Sequence, residues 1–68
     1  MHLKKYLQDN QLTQMSFIKK IENEKGIRIP QGTLAKWISG VRIPRKREMI
    51  VIMEITNKKV QPNDFYGV

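Results

Sequence analysis

The chain has no cysteine and a single histidine, His2, near a terminus expected to be mobile. Those absences exclude a zinc finger, a disulfide scaffold and a thiol nucleophile. No apolar run reaches the ~18 residues of a membrane span, and none forms the apolar stretch of a secretory leader. A cytoplasmic protein with no membrane association is expected. Catalytic spacings are missing too: there is no Ser-His-Asp set, no paired carboxylates, no HExxH pattern and no glycine-rich phosphate loop. Glu22 and Glu24 point to different sides of a helix, where they balance Lys19, Lys20 and Lys25. No enzyme activity, cofactor, metal or small-molecule ligand is therefore expected. Nor is there a low-complexity tract, a linker or the alternation of a strand-rich chain.

What is present is a short, basic, helix-patterned chain. Its 68 residues are 40% hydrophobic and 28% charged, which fits one folded domain and is too apolar for a disordered tail. A domain of this size buries only about 60% of its unfolded surface, so modest stability is expected. Thirteen Lys and Arg against six Asp and Glu give a net charge of +7 and a pI of 10.1. Such a surplus suits a polyanion: DNA, RNA or an anionic membrane. Its distribution is uneven. Lys25, Arg28, Lys36, Arg42, Arg45, Lys46 and Arg47 fall in a window without a single acid, while Asp9, Glu22, Glu24, Glu48, Glu54 and Asp64 lie outside it.

Apolar spacing predicts four helices around one core. Leu3 and Leu7 lie four apart, and Asp9 and Asn10 end that first helix. Thr13 is a candidate N-cap for the second, in which Phe17 and Ile21 share a face with Ile18 beside them, and Gly26 supplies a left-handed stop. In the third, Gln31 to Ser39, Leu34, Trp37 and Ile38 form the apolar face. The fourth spans roughly Arg45 to Thr56, with Met49, Ile50, Ile52, Met53 and Ile55 inward, Val51 completing the face and Asn57 closing the helix. The segment 57–68 reads as an extended return and a short turn, with Phe65 or Tyr66 folding back on the core.

An internal echo brackets the third helix. Gly26-Ile27-Arg28-Ile29-Pro30 returns as Gly40-Val41-Arg42-Ile43-Pro44. Each copy ends a helix with glycine, runs briefly extended and starts the next helix with proline, whose fixed φ suits a first helical turn. Whether repeat or coincidence, both copies mark boundaries. At ~1.5 Å per residue the bracketed helix is only ~14 Å long, a length that suits a major groove roughly 12 Å wide.

The order Leu12-Thr13-Gln14, Phe17, Ile21, then Gln31-Gly32-Thr33-Leu34-Ala35-Lys36-Trp37-Ile38-Ser39-Gly40 and Pro44 resembles the Cro and phage-repressor (XRE-type) helix-turn-helix family. The resemblance covers residues 3 to about 56, and the ending through Val60, Pro62, Asp64 and Phe65 is similar to that of small Cro-like proteins. It implies an all-α, compact four- to five-helix domain of lambda-repressor-like type, residues 1–68. It also implies a sequence-specific transcriptional regulator, a repressor of phage or prophage type, bound to double-stranded DNA. By the same resemblance Gln31, Gly32, Thr33 and Lys36 fall on the base-reading helix. Gln14 would grip a phosphate at the start of the second helix, and Arg42, Arg45, Lys46 and Arg47 would clamp the backbone. Gln pairs with adenine and Lys donates to guanine in the major groove. The passage from Glu22 to Pro30 departs from the family by being longer than its tight turn, through either a longer helix or a looser connection.

Other readings stand beside this one. Trp37 is spaced as a core residue, although an exposed indole could stack on a base. Lys4, Lys5, Lys19 and Lys20 suit solvated helix faces better than phosphate contacts. Members of the family often bind palindromes as dimers, so a weak homodimer would form through Phe65, Tyr66 and Val68 or through the fourth helix. The alternative function is a helix-turn-helix interaction module, an antitoxin or accessory regulator, whose basic surface meets an acidic protein. RNA or membrane binding by charge alone fits less well. The basic residues cluster around a helix and loop, and no aromatic-interleaved surface accompanies them.

Overall fold

Side-chain capping and left-handed residues divide the chain into its elements. The computed structural model describes residues 1–66 and contains, among them, α1 (Leu3–Asp9), α2 (Gln14–Lys25), α3 (Gln31–Ser39), α4 (Lys46–Ile55) and α5 (Asn63–Tyr66). His2 is not idle: its Nδ1 accepts the Lys4 N–H at 3.2 Å and caps α1. Thr13 Oγ1 accepts the Ser16 N–H at 3.0 Å and caps α2 as its residue type predicts. At α4 the Glu48 carboxylate accepts the Arg45 N–H at 3.0 Å, which also places a negative charge at the positive end of the helix dipole. The prolines sit just outside the helices they precede. Pro30 is the N-cap of α3, with ψ 143 instead of a first-turn conformation, and Arg45 separates Pro44 from α4.

Four helices end in a left-handed residue: Gln11 (φ 54), Gly26 (φ 68), Gly40 (φ 83) and Asn57 (φ 55). Two of these ends are closed by the same paired hydrogen bonds. Leu12 N–H donates to Leu7 O at 2.8 Å and Gln11 N–H to Gln8 O at 3.1 Å. Lys58 N–H donates to Met53 O at 2.7 Å and Asn57 N–H to Glu54 O at 3.2 Å. Both satisfy carbonyls that the helix itself leaves open. A left-handed conformation at Gln11 is unfavourable for a residue with a Cβ, so the Leu12 contact with the core holds it there.

The result is an all-helical bundle in which α2 packs on both α3 and α4. Phe17 and Ile21 of α2 are wholly buried, and Leu34 of α3, Ile52 of α4 and Val60 close over them. Leu3, Tyr6 and Leu7 bring α1 onto the same core, where the Tyr6 ring meets Phe17 edge-on at 6.2 Å. Trp37 is 2% exposed and belongs to this core. On α4 Met49, Val51, Ile52 and Ile55 are buried as expected, and the inward face is narrower than the sequence reading. Ile50 is 42% exposed, and Met53 is only partly covered. After Asn57 the chain passes through turns and bends in place of the expected extended run, and α5 forms where the short turn was expected. There Phe65 packs on the core and Tyr66 stays exposed. Val68, one of the residues considered for dimerisation, lies outside the described residues. No helix among those described is long and apolar enough to cross a membrane.

Two polar contacts tie the end of the bundle together. The Met1 ammonium donates to Asp64 Oδ2 at 2.9 Å and to Lys59 O at 2.8 Å. Partial burial pushes the Asp64 carboxyl up, but the Gln61 N–H and the Met1 ammonium outweigh it and hold the carboxyl below its ordinary value. Its contribution to stability is present at neutral pH and is lost as pH falls through that lowered value. The second contact is internal. Thr56 is 1% exposed; its hydroxyl donates to Ile52 O at 2.8 Å and accepts the Val60 N–H at 3.1 Å. Thr56→Val keeps the shape but orphans the Val60 donor, so it should destabilise the domain by about 1–3 kcal/mol in urea unfolding. A neutral result would show that Val60 finds another acceptor.

Candidate nucleic-acid interface

Ion pairing sorts the seven clustered cations into two groups. Lys25 Nζ lies 2.9 Å from Glu54 Oε1, joining the end of α2 to α4, and Arg28 lies 4.0 Å from Glu22. Both pairs are largely open to water, so each contributes at most ~1 kcal/mol. Each of these two cations has an acidic neighbour in reach. Lys36, Arg42, Arg45, Lys46 and Arg47 are exposed and, among the described residues, form no ion pair. Glu48, the acid nearest to them in sequence, is engaged with the backbone of Arg45.

These cations adjoin an unusually bare helix. With Leu34 and Trp37 buried, helical periodicity turns Gly32, Ala35, Lys36 and Ser39 outward as one stripe. Lys36 is the one long side chain on it. Gln31 and Thr33 lie to either side, Gln31 exposed and Thr33 half-buried. A Cβ added at Gly32 would meet nothing within 4 Å, so no internal packing requires glycine there. Pro30 supplies no side-chain cap, and its carbonyl accepts the Thr33 and Leu34 N–H groups at 3.1 Å each. The Gln31 and Gly32 N–H groups therefore have no acceptor among the described residues, which leaves the positive end of the α3 dipole facing outward.

Each flank of α3 opens on a shallow cleft. On one side a cleft of about 410 Å³ is lined by Thr33 and Trp37 together with Arg42, Ile43, Arg45 and Glu48. On the other, about 310 Å³ is bounded by Gln31, Pro30 and Arg28 and by Met15, Lys19 and Glu22 of α2. Arg45 and Arg47 also border a smaller cleft with Ile27, on the side of the 26–30 segment. Thr33, Arg42 and Arg45 thus line one cleft and Gln31 and Lys19 another, while Arg47 borders neither of the two that flank α3. Lys46 is exposed in the first turn of α4. Gln14 opens α2, half-buried, and is not among the residues lining these clefts.

The passage between the second and third helices is part helix and part connection. α2 continues to Lys25, Gly26 turns the chain, and Ile29 (3% exposed) plugs the following segment into the core with Ile27 partly buried beside it. The echoed segment behaves in the opposite way. Val41 is 76% exposed and Ile43 44%, whereas Pro44 is buried. Gly40 is left-handed, and Arg42 N–H donates to Lys36 O at 3.2 Å, holding the loop against the end of α3.

Sequence reasoning missed three contributors to this surface. Ser39 completes the outward stripe and was legible from its spacing to Gly32 and Lys36. Val41 and Ile43 were not, because their echo partners are inside. Neither a family model, nor a curated protein, nor a solved structure matches the chain.

Proposed function

We propose that the chain is a sequence-specific double-stranded DNA-binding protein of the helix-turn-helix type, a Cro-like transcriptional regulator acting as a repressor. α2 and α3 are the two helices of the motif, and α3 enters the major groove. One observation carries the reading: Lys36, Arg42 and Arg45, none of them ion-paired among the described residues, stand on or beside a short helix whose outward face is otherwise small and whose first turn has no side-chain cap. A wide anionic groove needs that combination. The helix must come close to base edges, which Gly32, Ala35 and Ser39 permit, and flanking charge must meet phosphates on both sides.

In this arrangement Lys36 donates to guanine O6 and N7 from the centre of the stripe. Gln31 pairs with adenine from its first turn, and Thr33 faces the sugar–phosphate edge. Arg42 and Arg45 hold the phosphates beside Thr33, and Lys46 and Arg47 extend the field along α4. Gln14 contacts the opposite strand through its amide and the free N–H groups that open α2. Occupancy is governed by protein concentration and salt.

Selection from random duplexes tests the proposal and should return a short enriched motif. Lys36→Ala should then relax one or two base pairs of it and weaken the preferred site by ~1–3 kcal/mol, with Gln31→Ala acting at a neighbouring position. An unchanged preference in Lys36→Ala would remove α3 as the reading helix.

A further inference from the structure

Val41 and Ile43 are aliphatic, exposed and held in that pose by named contacts. Their echo partners Ile27 and Ile29 turn inward, and Arg28 between those two is drawn to Glu22. Between Val41 and Ile43, by contrast, stands the unpaired Arg42, with Arg45, Lys46 and Arg47 following. The left-handed Gly40, the Arg42 N–H on Lys36 O and the buried Pro44 fix the outward pose at both ends. Water gains nothing from such a loop. An apolar tip set inside a cationic field fits a partner that offers apolar surface between closely spaced negative charges.

We infer that Val41 and Ile43 form an apolar foot that seats on the duplex beside the α3 footprint, against deoxyribose C–H edges or thymine methyl groups, while Arg42 takes the adjoining phosphate. The inference rests on the DNA-binding reading and adds a specific consequence to it. Binding has a part that salt does not screen, since counterion release belongs to the cations and burial of the foot does not depend on it. A duplex supplies what the foot needs, because sugar and methyl groups lie between its phosphates. A flexible acidic polymer supplies the charge alone.

The test is equilibrium binding of the full chain to a selected duplex from about 0.05 to 0.5 M salt, for the wild type and V41S/I43S. The log–log lines should be parallel, with the variant weaker by roughly ten- to a hundredfold at every salt concentration. Val41→Ile, which keeps both positions apolar, should bind at least as tightly as the wild type and should not alter the slope. Poly-L-glutamate is the control polyanion, and both proteins should bind it alike. Thermal melting confirms that the exposed substitutions leave the fold intact. Coincident lines on the duplex overturn the foot while leaving DNA binding standing, and so does a shallower slope in the variant. An equal loss on poly-L-glutamate overturns it in favour of an acidic protein as partner. A wild type that does not bind duplex at low salt overturns the parent reading instead.

Discussion

Replacing Arg42, Arg45, Lys46 and Arg47 together with glutamine should abolish duplex binding at 0.1 M salt and leave the domain folded. Each phosphate neutralised contributes about 0.9 to the slope of log K against log salt. Four lost contacts lower that slope by about 3.6, and between 1 M and 0.1 M salt this amounts to roughly three and a half decades of affinity. Stability should hold because all four side chains are exposed and none is ion-paired among the described residues. The Arg45 contact that starts α4 uses its backbone N–H, which glutamine retains. The variant also lowers the net charge from +7 to +3, so a charge-matched control is needed. Glutamine at Lys4, Lys5, Lys19 and Lys20 removes the same four charges elsewhere. That protein should keep most of its affinity, with the Lys19 position responsible for any small loss. Equal weakening by the two quadruple variants would mean that binding follows bulk charge and that the surface around α3 has no special role.

The other large effect concerns the core. Phe17→Ala should leave the protein largely unfolded under conditions where the wild type is stable. Phe17 is wholly buried on the helix that both α3 and α4 pack against, and the Tyr6 ring meets its edge. Truncation of such a residue costs ~3–5 kcal/mol, part transfer and part cavity. A chain of this length is expected to have only ~3–10 kcal/mol in all. The corresponding drop in melting temperature is about 15–35 °C, readable by circular dichroism. Phe17→Leu keeps most of the volume and should lose roughly 1 kcal/mol. A loss below ~1 kcal/mol for the alanine variant would mean that α2 does not occupy the centre of the core. The two variants separate fold from function: Phe17→Ala should lose structure and binding together, the quadruple glutamine variant binding alone.

Helix boundaries were readable where they are encoded in single residues. Thr13, Gly26, Gly40 and Asn57 have the side chains or backbone freedom that ends require, and α3 begins and finishes at Gln31 and Ser39 as its spacing predicts. Gln11 was not readable, because its left-handed conformation is imposed by the packing of Leu12 and not by its own preference. α5 is too short for periodicity to register. On α4 the nearly unbroken run from Met49 to Met53 leaves the phase ambiguous, and tertiary packing chooses Val51 over Ile50. The cationic window was visible as composition, yet its division was not. Lys25 pairs with Glu54 across the bundle, a contact that only the packing of α2 on α4 creates. His2, beside a terminus whose sequence shows no helix signal, is a cap because its ring nitrogen reaches the N–H two residues on.

The plug formed by Ile29 bears on the entropy of association. The connection of residues 26–30 would, without an anchor, let α3 swing, and each encounter would then have to freeze it. Ile29 buried to 3% exposure and Ile27 beside it remove that freedom before any partner arrives. What remains to be immobilised is the set of long unpaired side chains, at ~0.5–1.5 kcal/mol each. Cutting the plug with Ile29→Ser would cost stability as any buried truncation does, and on the proposed DNA-binding reading it would also slow docking, since α3 would present itself in many orientations instead of one.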